Sequence, residues 1–304
     1  YLNVLSVRKI FSEIKPDIVN AHYASGYGTL ARLAKLKPLL LSVWGGDVYD
    51  FPERGSFFSG ILKKNIHNAE AVASTSQSMA NHVSKRFNYD KPIYITPFGV
   101  DTNFFKSHDE VIKDDSNITI GTVKTLSKKY GIDTLIYAFK EVEDLLGEKV
   151  DLSLDITGDG PDRKSLEDLV NKLNLSGKVK FHGFLNDKNE VLARILNLDI
   201  YVALSRFDSE SFGVALLEAS SCNKPLVVSD VSGPLEVVKD GVTGFVVPRD
   251  NPSAAAEKLC LLIEDFKLRK YIGRNGREHV VKNYSWEYSL ENMIDVYREV
   301  VRHC

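Results

Sequence analysis

Short runs rich in β-branched residues alternate with longer amphipathic stretches along the whole chain, and this alternation restricts the possible folds more than any other feature. Residues 17–20, 39–44, 71–75 and 93–97 have the length and composition of strands, with helical spacing over 27–36, 57–68 and 76–87 between them. The pattern restarts at 118–121 and continues through 152–156, 179–181, 200–202, 226–228 and 245–247. These runs are continuously apolar rather than alternating, so both faces of each strand must be covered. Strand–helix–strand repetition of covered strands predicts parallel sheets joined by right-handed crossovers. The fold class is α/β.

A chain of 304 residues suggests two domains. The polar stretch 106–117 (KSHDEVIKDDSN) has little apolar content and marks the boundary, giving a first domain over 1–112 and a second over 113–285. The second domain holds six strands, enough for a complete doubly wound sheet. The first holds about four, and the chain opens inside a helical pattern carried by Leu2, Leu5, Ile10 and Ile14. The strand and glycine-bearing turn that usually begin such a domain are not in the sequence, so the expectation is a first domain short of its natural N-terminal segment. A small first domain is the alternative. The final stretch, 286–304, reads as a helix packing back on the first domain, with Trp286, Leu290, Met293, Ile294 and Val300 as candidate packing residues.

Composition excludes several function classes. Lys plus Arg number 39 against 41 Asp plus Glu, for a formal charge of −2. That balance lacks the dominant basic field that phosphate-backbone binding requires, so nucleic acid is not an expected partner. No apolar run reaches the ~18 residues that span a bilayer. The three cysteines, Cys222, Cys260 and Cys304, are odd in number and without CxxC spacing. They predict neither a disulfide framework nor a zinc site, and fit a reducing, cytoplasmic setting.

The segment 204–222 (LSRFDSESFGVALLEASSC) carries the most chemistry. It leaves a strand, passes through a polar loop and enters a helix near Gly213. Ligands of open α/β sheets gather outside the carboxyl ends of the strands. A helix start at a glycine also presents free N–H groups and a positive dipole end to a phosphate oxygen. Glu210 precedes that helix and Glu218 lies within it. Eight residues at ~1.5 Å each separate them by roughly 12 Å if helical, the reach of a nucleotide sugar's diphosphate. An ordinary amphipathic helix with two surface glutamates is the competing reading.

Glu210-Ser211-Phe212-Gly213 followed by Glu218-Ala219 resembles the E-x7-E signature of retaining glycosyltransferases of the GT-B fold, and specifically of family 4, the glycosyl transferases group 1. Other matches follow in family order. Gly158-Asp159-Gly160-Pro161 resembles the family's strand-end G-x-G-P turn, and Val179-Lys180-Phe181-His182-Gly183 the next strand with its glycine. Residues 224–228 (KPLVV) and 233–245 (GPLEVVKDGVTGF) resemble its late G-x-x-E run, and 97–105 (PFGVDTNFF) its hinge-side segment. The resemblance runs from about residue 17 to the end.

That resemblance implies two Rossmann-like domains facing a cleft, with the donor held by the second and the acceptor by the first. Lys124 and Lys129 match the family's basic pair, where they would neutralise the donor's two phosphates and stabilise the departing nucleotide. Lysine at the first position departs from the usual arginine, and Lys128 shares the second role if Tyr130 shifts the loop. Glu210 would bind the hydroxyls of the donor sugar, and Phe212, Gly213 and Val214 would offer backbone N–H groups. Glu218 would hold the ribose, Leu185 would contact the base, and Gly158 would form the turn beneath the nucleotide. On the acceptor side stand His22, at the end of a strand, and Asp47 in Trp44-Gly45-Gly46-Asp47, where the family often has His-Gly-x-Asp, with a structural histidine and a turn-forming aspartate as the alternatives. Trp44 replaces that histidine with a stacking aromatic.

No Asp-x-Asp pair, H-x-x-x-H pair or G-x-S-x-G is present, and Arg163 interrupts G-x-G-x-x-G. A metal-chelated diphosphate, a zincin, a serine hydrolase and nicotinamide binding thus find no support. The resulting expectation is a retaining, metal-independent hexosyltransferase using a nucleoside diphosphate sugar, UDP taken over GDP, with no cofactor. Its acceptor would be a saccharide or lipid-linked molecule of polysaccharide or glycolipid synthesis, with peripheral contact at the inner face of the membrane. A sugar-nucleotide-binding module without turnover, and a same-fold epimerase or phosphorylase, are the alternatives.

Overall fold

The computed structural model describes residues 3–107 and 116–303. The chain divides into two units. One comprises Tyr1–Phe98, Asp208–Phe212 and Glu287–Cys304, and the other comprises Gly99–Phe207 and Gly213–Trp286. The boundary placed at 112/113 lies outside the described residues. The contact division falls earlier, at Phe98/Gly99, because the following residues bond within the second unit. Val100 donates to Tyr284 O and accepts from Trp286 N, both at 2.9 Å, and Arg277 reaches the carbonyl of Phe105.

The first unit runs α1 (Val4–Ile14), β1 (Val19–His22), α2 (Gly26–Ala34), β2 (Leu39–Val43), α3 (Ser56–Asn68), β3 (Ala71–Ser74), α4 (Gln77–Phe87) and β4 (Ile93–Ile95). Its sheet is parallel throughout, in the order β1-β2-β3-β4. All five residues of β2 are buried, as a central parallel strand covered on both faces requires. The start of α4 is fixed by Ser76, whose hydroxyl accepts from Met79 N at 3.2 Å.

The second unit runs β5 (Asn117–Val123), α5 (Ile132–Leu146), β6 (Asp151–Thr157), α6 (Arg163–Lys172), β7 (Val179–Gly183), α7 (Lys188–Asn197), β8 (Ile200–Ala203), α8 (Val214–Ser221), β9 (Leu226–Ser229), α9 (Ser232–Val237), β10 (Gly244–Val247), α10 (Pro252–Glu264) and α11 (Phe266–Tyr284). Its parallel sheet has the order β10-β9-β8-β5-β6-β7. The chain starts at β5, winds outward to β7, then returns to β8 on the other side of β5. The winding therefore reverses at β5/β8, the place where such sheets open a ligand crevice at their carboxyl edge. Asn251 caps α10 by accepting from Ala254 N at 3.0 Å, with Pro252 in the first helical turn where its missing N–H costs nothing.

The last helix, α12 (Trp286–Arg302), belongs with the first unit, where Val296 and Val300 bury against Leu40, Ala71 and Ala73. Met293 and Tyr297 complete the packed stripe, and the Tyr297 hydroxyl accepts from Asn20 at 2.9 Å. Of the residues named for this role, Trp286 and Leu290 are exposed and Ile294 lies at the solvent edge. They belong to a neighbouring i, i+4 row, while the row that meets the sheet is 293, 296/297 and 300. The helical pattern at the start of the chain is α1, and the residues that mark it are not the ones that pack. Leu5, Ile10 and Ile14 are exposed, whereas Val4, Val7 and Phe11 pack on the core, and Leu2 lies outside the described residues. Arg8, on the packed side, donates to the α2 carbonyls of Leu33 and Ala34.

Candidate functional site

At the carboxyl edge of the second unit's sheet, the ends of β5, β6 and β7 and the starts of α7 and α8 enclose a cavity of about 390 Å³. That is room for a nucleoside-sized ligand. Of the residues named from sequence, Lys124, Gly158, Leu185 and Glu218 line this one cavity. Each arrives on a different element: Lys124 just past β5, Gly158 just past β6, Leu185 past β7, and Glu218 on the second turn of α8.

The turn at Gly158 ties three strand ends together. Gly158 N donates to Gly183 O at 2.8 Å, and Lys124 N donates to Thr157 O at 2.9 Å. Gly158 has φ +131°, and a Cβ built there would overlap the carbonyl oxygen of Lys124. The close approach that shapes the cavity floor is open only to glycine.

Lys124 and Lys129 converge on one aromatic ring. Their ammonium groups lie 5.0 and 5.4 Å from the ring centre of Tyr130, which itself lines the cavity. The ring's quadrupole attracts each ammonium and partly offsets the repulsion between them. The structure thus associates Lys129, rather than the exposed Lys128, with Lys124. Tyr130 and Lys188 are cavity residues to which sequence reasoning gave no ligand role. The Gly183-Phe184-Leu185-Asn186-Asp187-Lys188 run after β7 held the only local hint of the second, a cation at the first position of α7.

Burial pushes the Glu218 carboxyl up to about 7, against the opposing pull of Lys188 and then Lys124. Between the ordinary value of 4.5 and about 7, the folded chain holds a proton that the unfolded chain has released. Stability therefore falls as pH rises through that window, and the ionised carboxylate above it is a standing cost. Glu218→Gln is expected to leave the thermal midpoint unchanged near pH 4 and to raise it by a few degrees at pH 8, for ~1–2 kcal/mol. Equal midpoints at both pH values would show that Glu218 bears no such cost.

Only Val214–Ser221 is helical in the glutamate segment, so Glu210 lies on the preceding loop. Gly213 opens the helix with φ +94°, and the exposed Val214 is its first residue. Phe212 is 2% exposed and Glu210 8%. Both belong to the Asp208–Phe212 segment of the first unit. There Ser211 Oγ donates to Trp44 O at 2.7 Å, and the Phe212 ring meets Phe98 edge-on at 6.1 Å. Phe98 in turn meets Trp44 at 5.5 Å, and Trp44 lies 5.4 Å from the ring of His22. Trp44 remains 43% exposed beside these neighbours.

His22 sits exposed at the end of β1, and partial burial of its ring lowers its pKa. At Asp47 the sequence leaves a ligand contact and a turn both open. It is fully buried, with Oδ2 accepting from Ala24 N at 2.7 Å and Oδ1 from Trp44 N and Gly45 N at 3.0 and 2.9 Å. Burial raises its pKa and these N–H groups oppose that shift. With both oxygens committed to backbone, Asp47 organises the loop that carries Trp44 and does not present a carboxylate to a ligand. Among the described residues no cluster of His, Cys, Asp and Glu is arranged to hold a metal ion.

Residues 103–279 match the model of the glycosyl transferases group 1, and residues 1–76 match the glycosyl transferase 4-like model. An uncharacterized glycosyltransferase of Methanocaldococcus jannaschii is 28% identical over 295 residues, which is 93% of this chain and 76% of that protein. The N-acetyl-alpha-D-glucosaminyl L-malate synthase of Bacillus anthracis is 25% identical over 297 residues, 94% of this chain and 75% of that protein. Among solved structures, Anabaena Alr3699/HepE in complex with UDP-glucose superposes with a TM-score of 0.82 at 20% identity, covering 97% of this chain and 82% of that one.

Proposed function

Because this chain belongs to the glycosyl transferases group 1, a GT-B family whose members transfer sugar from nucleotide sugars, we propose that it is a retaining, metal-independent hexosyltransferase with a UDP-sugar donor. The observation that carries this reading is the gathering of Lys124, Gly158, Leu185 and Glu218 around one cavity at the carboxyl edge of the second sheet. That set supplies what a nucleoside diphosphate requires: a cation for phosphate, a close backbone turn, an apolar wall for the base and a carboxylate for ribose hydroxyls. The UDP-glucose complex of Alr3699/HepE supports the choice of uracil.

In this reading Lys124 and Lys129 neutralise the diphosphate as negative charge grows on the leaving oxygen. Glu210 accepts hydrogen bonds from the sugar's hydroxyls, and the N–H groups of Phe212, Gly213 and Val214 face sugar and phosphate. The bond from the anomeric carbon to the diphosphate breaks and the acceptor oxygen bonds to the same face of the sugar. The acceptor's proton passes to the departing phosphate. His22 and Trp44 serve the acceptor, a saccharide or lipid-linked molecule of envelope polysaccharide or glycolipid synthesis. Such acceptors place the enzyme at the cytoplasmic face of a membrane. Among the described residues, no helix is long and apolar enough to cross one.

Calorimetric titration with UDP and with GDP, without metal, tests the donor site directly. UDP is expected to bind more tightly than GDP, and Glu218→Ala to weaken it about tenfold, the worth of one charge-assisted hydrogen bond. Failure of the folded protein to bind either nucleotide would sink the reading.

A further inference from the structure

Arg206 has no part in the chemistry above, yet its guanidinium is bonded on all three nitrogens. Its side chain is 14% exposed. Nε donates to the Asp250 carboxylate, and Nη2 donates to Asp133 Oδ2 and Thr134 Oγ1, both at 2.9 Å. Nη1 lies 2.8 Å from Asp133 Oδ1 and donates to the carbonyl of Lys128 at 3.1 Å. The backbone N–H of the same residue donates to the carbonyl of Lys129 at 2.8 Å.

Those last two bonds have a specific geometric effect. The carbonyl of Lys128 belongs to the peptide plane before the Lys129 Cα, and the carbonyl of Lys129 to the plane after it. A planar peptide held at its oxygen leaves little freedom to its neighbouring dihedrals. With both planes fixed, the direction of the Lys129 Cα–Cβ bond is fixed, which narrows the region its ammonium can reach to the side where the Tyr130 ring lies, 5.4 Å away. Asp133, Thr134 and Asp250 fill the rest of the guanidinium fork and hold it against movement. A lysine could replace the charge between the two aspartates but not the fork.

We propose that Arg206 is a positioning residue for the diphosphate: it aims the Lys129 ammonium by pinning both peptide planes that flank it. This rests on the reading that Lys129 neutralises the donor's phosphates. It assigns Arg206 no contact with the ligand.

The test is the ratio of affinities for UDP and UMP, measured by calorimetry in the parent, Lys129→Met, Arg206→Lys, Arg206→Gln and Lys129→Met/Arg206→Gln, with thermal midpoints alongside (GDP and GMP replace them if guanine is the base bound). Lys129→Met is expected to lower the UDP/UMP preference about tenfold. Each Arg206 variant frees the Lys128 carbonyl but keeps the backbone bond to Lys129 O, so it should lower the preference by a smaller factor, about threefold, while UMP affinity stays within about twofold, and the double variant should fall no further than Lys129→Met. If Arg206→Gln does not fold, Arg206→Lys, which keeps a charge between Asp133 and Asp250, carries the same reading. A lowered midpoint with an unchanged preference would make Arg206 a brace alone and overturn the proposal, as would multiplicative losses in the double variant. An unchanged preference in Lys129→Met would instead overturn the role of Lys129, and this proposal with it.

Discussion

Alanine at Gly158 is expected to abolish nucleotide binding and to destabilise the second unit by ~2–5 kcal/mol, the sum of left-handed strain and overpacking. The Cβ would overlap the carbonyl oxygen of Lys124, and that oxygen cannot withdraw alone. The next bond along is the one from Lys124 N to Thr157 O, and Gly158 N is itself held to Gly183 O. Relief therefore requires the end of β5 to move away from the ends of β6 and β7. That motion would carry off Lys124 and open the cavity floor. Chemical denaturation and UDP titration of Gly158→Ala read the two effects together. A variant with parent-like stability and affinity would show that the turn relaxes locally and does not shape the site.

Glu210→Gln and Glu210→Ala are expected to reduce sugar transfer by about a hundredfold, as loss of charged hydrogen bonds to a reacting sugar would, while leaving UDP affinity nearly unchanged. The separation follows from the two glutamates' assigned partners. Glu218 is assigned to the nucleoside, whereas Glu210, 8% exposed on the loop beside Trp44, is assigned to the sugar alone. Glu210→Asp, with a shorter carboxylate, should recover part of the rate. Transfer at the parent rate by either neutral variant would remove Glu210 from the reaction.

Strand content was legible because buried parallel strands advertise themselves: β2, β3, β8 and β9 are short, apolar on both faces and flanked by turns. The resemblance also led to the family to which the chain belongs, since its motifs recur in a fixed order along both units. The packing faces of α1 and α12 were less legible. Each helix carries more apolar residues than its buried stripe can take, and spacing alone does not say which i, i+4 row meets the sheet. Asp47 illustrates a different limit. An aspartate after two glycines suits a ligand and a turn equally, and only the three N–H groups around it decide for the turn. Arg206 and Tyr130 went without a role for a third reason. Their bonds run to backbone oxygens and ammonium groups distant in sequence or set by a loop's path, which leave no compositional trace.

The placement of α12 has a consequence for how the protein is made. The face of the first sheet formed by Leu40, Ala71 and Ala73 is covered by Val296 and Val300, residues translated long after it. At ~5–20 residues per second, a ribosome needs roughly 10–40 s to travel from the end of the first segment to the helix that completes it. Throughout that interval the apolar face of β2 and β3 stays open while the second unit, encoded in between, can already close its own sheet. Synthesis order and folding order are thereby inverted: the sheet of the first unit leaves the ribosome before the second unit and is finished after it.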